Sequence, residues 1–120
     1  MSDESEVKPT ITYDDFCKLD LRIATILEAS DHPNADKLIV MKIDLGDEQR
    51  QIIAGLKPWY SPDQLTGKQA VVVTNLQARK MRGMESNGML LAATVGQGRE
   101  LENVVVLAPQ TEVPNGSIVS

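Results

Sequence analysis

The chain has 120 residues, of which 42% are hydrophobic and 24% charged, and this suits one globular domain with a single modest core. No apolar run approaches the roughly 20 residues that span a bilayer, and the acidic start, Met1 to Glu6, is unlike a signal peptide. The one cysteine, Cys17, excludes an internal disulfide and suits a reducing compartment, so we expect a cytoplasmic protein. The net charge of −5 argues against a general binder of polyanions.

The first predicted elements are a leader, a short helix and a long strand. Residues 1–11 are expected to form a disordered leader, and residues 12–120 one folded domain. Thr12 is expected to cap a helix over residues 13–19, because acidic residues in the first turn favour a helix start. Residues 20–30 alternate as a strand, and the alternation slips at Ile26 and Leu27, which predicts a β-bulge there.

The rest of the chain alternates between strands and connections. Further strands are predicted, in chain order, at residues 38–45, 49–54, 69–75, 87–95 and 103–107. His32 to Lys37 is a loop by its proline and asparagine, and residues 55–67, with two prolines, predict helical turns. Five closely spaced strands with a helical connection between the third and fourth are typical of an all-β, five-stranded OB-fold barrel.

The OB-fold pattern also predicts where a ligand lies. In this architecture the ligand face is built by strands two and three and by the loops that follow strands one and four. Those loops are residues 31–37, which carry Lys37, and residues 76–86. The second loop contains the densest positive charge of the chain.

Three basic residues, Arg79, Lys80 and Arg82, lie within four positions of that loop and are a quarter of the 12 basic residues. The charge of the chain is uneven, since residues 37–91 sum to +3 (eight basic, five acidic) within a protein of net charge −5. Adjacent like charges repel one another, and phosphates are the anions that most often bind several neighbouring Arg and Lys side chains. The cluster therefore indicates a phosphate ligand, with a highly charged surface turn as the alternative.

The four aromatic residues, Tyr13, Phe16, Trp59 and Tyr60, all lie outside the predicted strands. OB-folds that hold single strands use aromatic side chains on their strands as stacking platforms. This distribution therefore favours a ligand recognised by shape and backbone, as folded RNA is.

Other constellations fall short of a site. His32 and Asp36 are two possible metal ligands without a third, and nothing places Cys17 near His32 as a thiol nucleophile. We therefore expect no metal, no cofactor and no enzymatic activity. Among the methionines, Met89 borders an apolar run that suits core packing, whereas Met81, between two cations, is harder to bury.

Five segments in this order carry a family resemblance: YDDFCKLDLRIATI, HPNADKL, KIDLG, AGLKPWYSPDQLTGK and NLQARKMRGMESNGMLLAA. Over about residues 12 to 119 the chain resembles the tRNA-binding domain family. Its members are stand-alone dimeric tRNA-binding proteins and the C-terminal domain or beta subunit of methionyl-tRNA synthetase.

The resemblance implies an OB-fold whose C-terminal extension makes a homodimer, and binding to the outer corner of tRNA without chemistry. It places tRNA contacts, by position, at Asn75, Arg79, Lys80, Met81, Arg82, Ser86 and Met89, with Lys37 in the facing loop. It implies tRNA, and possibly a methionyl-tRNA synthetase, as partners. Ala78 departs from the proline that is frequent at that position.

A homodimer also follows from the last predicted strand, residues 103–107, which is surplus to a five-stranded barrel. Successive side chains of a strand alternate between its faces, so one apolar face of this strand needs a cover. A second copy is the expected cover, and a strand that folds back over its own barrel is the alternative.

A different function is left open by the sequence. A sister branch of the same fold resembles export-related, peptide-binding chaperones. HPNADKL and the intact RKMR favour the tRNA branch, because a chaperone needs an apolar groove more than a cationic loop.

Overall fold

The computed structural model describes residues 7–98 and 100–120. Residues 1–6 of the predicted leader lie outside the described residues. Within the described part, helices α1 and α2 cover Tyr13–Phe16 and Pro62–Leu65. The strands are β1 (Leu21–Asp31), β2 (Ile39–Asp44), β3 (Gln49–Ala54), β4 (Gln69–Val73), β5 (Arg79–Met81), β6 (Met84–Ser86), β7 (Met89–Leu90), β8 (Ala92–Gln97), β9 (Glu100–Val106) and β10 (Ile118–Val119). No helix of this part is long and apolar enough to span a bilayer.

The main sheet is a nearly closed barrel built around the long strand β1, and it confirms the predicted all-β, OB-like barrel. Its strand order is β3-β2-β1-β4-β7, with β10 added to the start of β1. β1 pairs with three strands, all antiparallel: its first half pairs with β4 and, at Leu21 and Arg22, with β10, and its second half pairs with β2. The two pairings meet at Thr25, which pairs with Gln69 of β4 and with Asp44 of β2.

β1 has a bulge at Leu27. The pairing with β2 shifts between Ile26 and Glu28, so Leu27 is the extra residue on β1. A bulge increases the local twist and bends its strand, which lets β1 turn from one side of the barrel to the other. The predicted bulge is confirmed.

The barrel is filled by aliphatic side chains from the inward positions of its strands. The fully buried ones include Ile26 of β1, Ile39, Met41 and Ile43 of β2, Ile52 of β3 and Val72 of β4. The spacing of two along β2 follows the alternation of a strand with one buried face. Trp59 and Tyr60, in the connection before α2, pack against the edge of this core, outside the strands as predicted.

The first helix is shorter than predicted. The Thr12 side chain accepts a hydrogen bond from the Asp15 N–H, which confirms the cap, but α1 ends at Phe16 instead of residue 19. The chain leaves the helix because Asn75 binds it on both sides of the turn. The side chain of Asn75 accepts from the Asp20 N–H at 2.9 Å and donates to the Lys18 carbonyl at 2.6 Å.

Two predictions for the segment after β4 were wrong in detail. The loop expected over residues 76–86 contains the antiparallel hairpin β5–β6. The single strand expected over residues 87–95 is two strands, β7 and β8, which separate at Leu91. β7 closes the main sheet against β4, whereas β8 leaves it to pair with β9.

The C-terminal extension forms a second layer on the barrel. In β9, Val104 is buried and Val106 packs against the barrel core, while Val105 is 45% exposed. The strand expected at residues 103–107 is thus part of a longer strand, and one of its faces covers its own barrel. Its other face, with Val105 and the exposed Leu107 that follows, is uncovered among the described residues.

Candidate nucleic-acid interface

The basic cluster lies on the β5–β6 hairpin, whose tip is a two-residue turn. Met81 pairs with Met84, so Arg82 and Gly83 are the central residues of the turn. Both have positive φ, 55° and 92°. Positive φ at both central positions defines the type I′ turn, whose twist suits a hairpin. Arg82 is the one residue other than glycine with positive φ in the described part, so its charge is placed at the tip despite an unfavourable backbone conformation.

The basic side chains of the hairpin are distributed over both of its faces and its tip. Arg79 and Met81 share one face, with the Arg79 guanidinium 3.6 Å from the Met81 sulfur, and Lys80 lies on the other. Glu85 is the cross-strand partner of Lys80 and lowers the net charge of the hairpin, but Arg79, Lys80 and Arg82 are all exposed. The hairpin therefore presents cations on both faces and at its tip.

Hydrogen bonds from β3 hold the base of the hairpin. Ser86 is buried, and its hydroxyl accepts from the Ile53 N–H at 3.0 Å and lies 3.2 Å from the Gly88 carbonyl. The Gln51 side chain donates to the Glu85 carbonyl at 2.8 Å, and the Asn87 N–H donates to the Gln51 carbonyl. These bonds fix the hairpin to the barrel without using its charged groups.

The tip of the hairpin is held by His32, a buried residue of the loop between β1 and β2. Nδ1 of His32 accepts from the Asn34 N–H at 2.9 Å, and Nε2 lies 3.0 Å from the Met81 carbonyl. Since Nδ1 is an acceptor, the ring proton of the neutral imidazole is on Nε2 and is donated to Met81. His32 was weighed as a metal ligand in the sequence, and its bridging role had no local signal there.

The bridge brings the two predicted loops together around one groove. The groove has a volume of about 750 Å³ and is lined by Pro33 to Leu38 on one side and by Arg82 on the other. Lys37 is exposed in this groove, opposite the hairpin tip, as the sequence predicts. Asp36 also lines it, so the groove is cationic at its two rims but not uniformly so.

The predicted contact residues Asn75 and Ser86 have side chains that already bind the protein. Both ends of the Asn75 amide are occupied by the turn after α1, and Ser86 is 4% exposed. Their geometry suits residues that position the interface. Met81 is half-buried, and Met89 is 45% exposed, so the alternative that Met89 is packed in the core is wrong.

Met89 forms part of an apolar cleft that the sequence does not predict. The cleft has a volume of about 520 Å³ beside the base of the hairpin, and Leu76, 41% exposed, lines it with Arg79 and Met89. Leu76 carried no signal in the sequence, because a single leucine in a predicted loop is ordinary. Its exposure becomes evident only in the fold.

Ion pairs lie beside the interface instead of within it. The Arg22 guanidinium donates to the Asp20 carboxylate at 2.7 Å and holds the pKa of Asp20 below its ordinary value. Arg50 does the same to the pKa of Glu48. Within residues 7–98 and 100–120, Lys37, Arg79, Lys80 and Arg82 take part in no ion pair, and no group of three acidic, His or Cys side chains is placed to hold a metal.

Comparison with known proteins places residues 21–118 in a family model described as "Putative tRNA binding domain". The methionine–tRNA ligases of Thermococcus kodakarensis and Pyrococcus abyssi are 51% and 52% identical over 107 and 109 residues. These matches cover 89% and 91% of this chain but 14% of each ligase.

Solved structures show the same fold over nearly the whole chain. A MetRS-related protein from Pyrococcus horikoshii superposes with a TM-score of 0.86 at 31% identity, over 94% of this chain and 100% of that one. The chaperone CsaA from Bacillus anthracis superposes with a TM-score of 0.82 at 32% identity, over 93% and 100%.

Proposed function

We propose, from the premise that this chain belongs to the tRNA-binding domain family, that it binds folded tRNA without catalysing a reaction. The observation that carries the proposal is the basic hairpin β5–β6. It projects three exposed cations from an acidic chain, and its base and tip are each hydrogen-bonded to the barrel.

The electrostatics of the hairpin support a phosphate ligand. Exposed cations that neutralise phosphates release counterions, and this supplies most of the affinity of a nucleic-acid contact. Arg79, Lys80 and Arg82 form no ion pair with the residues described, so a phosphate contact breaks none within that part of the chain. Lys37 faces the tip across the groove and adds a further contact. We propose that Met81 and Met89 add apolar contacts, and that Asn75 and Ser86 position the site.

Preference for folded RNA follows from the position of the aromatic residues. Tyr13 and Phe16 are in α1, and Trp59 and Tyr60 pack beside the core, with the Tyr60 hydroxyl accepting from the Val106 N–H. The barrel strands therefore carry no aromatic platform on which successive bases stack, among the residues described. Recognition by shape and backbone suits a folded ligand.

The biological setting that we propose is protein biosynthesis in the cytoplasm. The chain would act alone or deliver tRNA to a methionyl-tRNA synthetase, since the ligases that it resembles carry a matching segment. We further propose a homodimer, with the exposed face of β9 as the main contact. Val105 and Leu107 on that face are 45% and 42% exposed and offer apolar side chains to a second copy.

A second candidate function is the binding of apolar peptides, as the sister branch implies. Two observations favour it: the similarity to CsaA chaperones and the apolar cleft beside Arg79. Arg79, which lines this cleft, and the cations that follow it on the hairpin favour RNA, because an apolar peptide gains nothing from them.

One titration separates these functions. Binding is measured for bulk tRNA, an unstructured RNA of equal length and an unfolded polypeptide at one salt concentration. We expect tRNA to bind most tightly. Tightest binding of the polypeptide would establish the chaperone function instead, and equal binding of the two RNAs would contradict recognition of a folded shape.

A further inference from the structure

We infer that the cleft beside the hairpin base takes one unpaired base of the bound RNA. This inference rests on the proposed function and names a part of the ligand that the basic hairpin does not explain. The cleft is lined by Ile53, Leu76, Ala78 and Met89, with Arg79 and Ser86 on the hairpin side. Its volume of about 520 Å³ is within the range of small-molecule sites.

The walls of the cleft are formed in advance of any ligand. Ser86 is locked by its bonds to β3 and to the Gly88 carbonyl, and Ile53 is 4% exposed. Gly88 permits the close approach of this segment to β4, because a Cβ at Gly88 would lie 3.2 Å from the Val73 carbonyl oxygen and its φ is 127°. A rigid cleft binds a flat ligand with little ordering of the protein.

The chemistry of the lining matches the faces of a nucleobase. Leu76 and Met89 are exposed at the cleft, and a thioether is a polarisable partner for an aromatic ring. Gln77, also exposed at the cleft, has an amide that can donate to or accept from a base edge. One slot of this kind holds a single base, unlike the row of aromatics that binds a continuous strand.

Charge complementarity selects RNA over a protein segment. Arg79 lines the cleft, and Lys80 and Arg82 follow it on the hairpin, while none of the described acidic residues lines the cleft. A base in the cleft therefore brings its own phosphate to the Arg79 guanidinium, which recognises phosphate through two parallel hydrogen bonds. An apolar peptide would leave that cation without a partner.

The test compares two RNA hairpins that differ in one base. The first carries a single bulged adenosine, and the second has an abasic site at the same position, so that both keep every phosphate. The full chain should bind the adenosine hairpin about fivefold or more tightly, the lower end of the contribution of one base contact. Because both RNAs carry equal charge, the two affinities should fall with salt in parallel.

Substitutions in the cleft should abolish the preference and leave the charge contacts. Leu76→Ser and Met89→Ser should equalise the two hairpins, and Leu76→Met and Met89→Leu should keep the preference, since they retain apolar volume. Circular dichroism establishes that each variant is folded. Arg79→Ala should weaken binding of both RNAs and reduce the salt dependence.

Equal binding of the two hairpins by the unaltered chain would overturn the base-docking inference while leaving the proposed function intact. Displacement of both RNAs by an unfolded apolar peptide, relieved by Leu76→Ser, would assign the cleft to a protein segment and also overturn it. If the chain binds neither hairpin nor tRNA, the proposed function itself fails.

Discussion

His32 donates a hydrogen bond from Nε2 to the main-chain carbonyl of Met81, at 3.0 Å, across two loops that are 49 residues apart in sequence. Its other ring nitrogen accepts from the Asn34 N–H, so the imidazole is a fixed spacer between the β1–β2 loop and the hairpin tip. The position of the Arg82 charge relative to Lys37 therefore depends on a residue that is itself buried.

His32→Asn should test this bridge. The Asn oxygen can replace Nδ1 as the acceptor for the Asn34 N–H, but its short side chain does not reach Met81. We expect weaker tRNA binding, by a factor of up to about ten, the equivalent of one hydrogen bond. The measurement is a double-mutant cycle with Arg82→Ala. If His32 acts by positioning Arg82, the double variant should bind tRNA only a little more weakly than Arg82→Ala does. Losses of binding free energy that add fully in the double variant would refute this positioning role.

Arg82→Asn should raise stability and lower affinity. Asparagine tolerates positive φ better than arginine and is favoured before glycine in a type I′ turn, so we expect a gain of about 0.5–1 kcal/mol in the free energy of unfolding. Loss of the cation should weaken tRNA binding and reduce the salt slope by about 1. Thermal denaturation and tRNA titration measure the two effects, and Arg82→Lys, which keeps the charge, is the control. Weaker stability in Arg82→Asn would show that the arginine side chain supports the turn.

Val105→Asp should turn the proposed dimer into a monomer. A charge in the centre of an apolar contact is desolvated without a partner, whereas on the surface of a monomer it is harmless. Light scattering at micromolar concentration gives the mass, and Thr111→Asp adds the same charge at an exposed position of the C-terminal tail. A mass near one chain for the unaltered protein, with tRNA binding intact, would remove the dimer from the mechanism.

The Asp20–Arg22 pair should make part of the stability depend on acid pH. Because the folded state lowers the pKa of Asp20, the pair stabilises the fold above the ordinary carboxyl pKa of about 4 and loses its effect as the pH falls through the folded value. Asp20→Asn should therefore reduce the fall in melting temperature between about pH 5 and pH 3. The effect should be small, since both side chains are more than a third exposed. If the melting temperature of Asp20→Asn falls as much as that of the unaltered chain, the acid dependence belongs to other carboxylates.

Much of the barrel could be predicted because its signals are local. The bulge at Leu27 is predicted by a slip in the alternation of side chains along β1. The cap at Thr12 is predicted by the acidic residues that follow it. The sequence predicts a loop where the hairpin β5–β6 lies, because the three-residue strands carry Arg and Lys, which rarely mark a strand. The dipeptide Arg82-Gly83 does carry a signal for this hairpin, since a two-residue turn that ends in glycine favours one.

The parts of the site that the sequence does not predict depend on contacts between segments that are far apart in sequence. The bond from His32 to Met81 and those from Asn75 to residues 18 and 20 join positions far apart in sequence, and no local pattern reports them. The same holds for β9, where Val104 faces its own barrel and Val105 does not. Which face of an apolar strand is covered is a property of the packed protein.

Binding of tRNA through the basic hairpin is tested most directly by the salt dependence of tRNA affinity. This is measured for the unaltered chain, Arg79→Ala, Lys80→Ala and the control Lys68→Ala. Lys68 is exposed at the start of β4, at the opposite end of that strand from the hairpin. With roughly two or three phosphates for each subunit, log affinity should fall against log salt with a slope of roughly −2 to −5 for a dimer. Arg79→Ala and Lys80→Ala should each weaken tRNA binding and flatten the slope by about 1. Their free energies of unfolding should stay unchanged to within about 0.5 kcal/mol. Lys68→Ala should behave as the unaltered chain. An affinity independent of salt, or equal in all four proteins, would contradict tRNA binding through the basic hairpin.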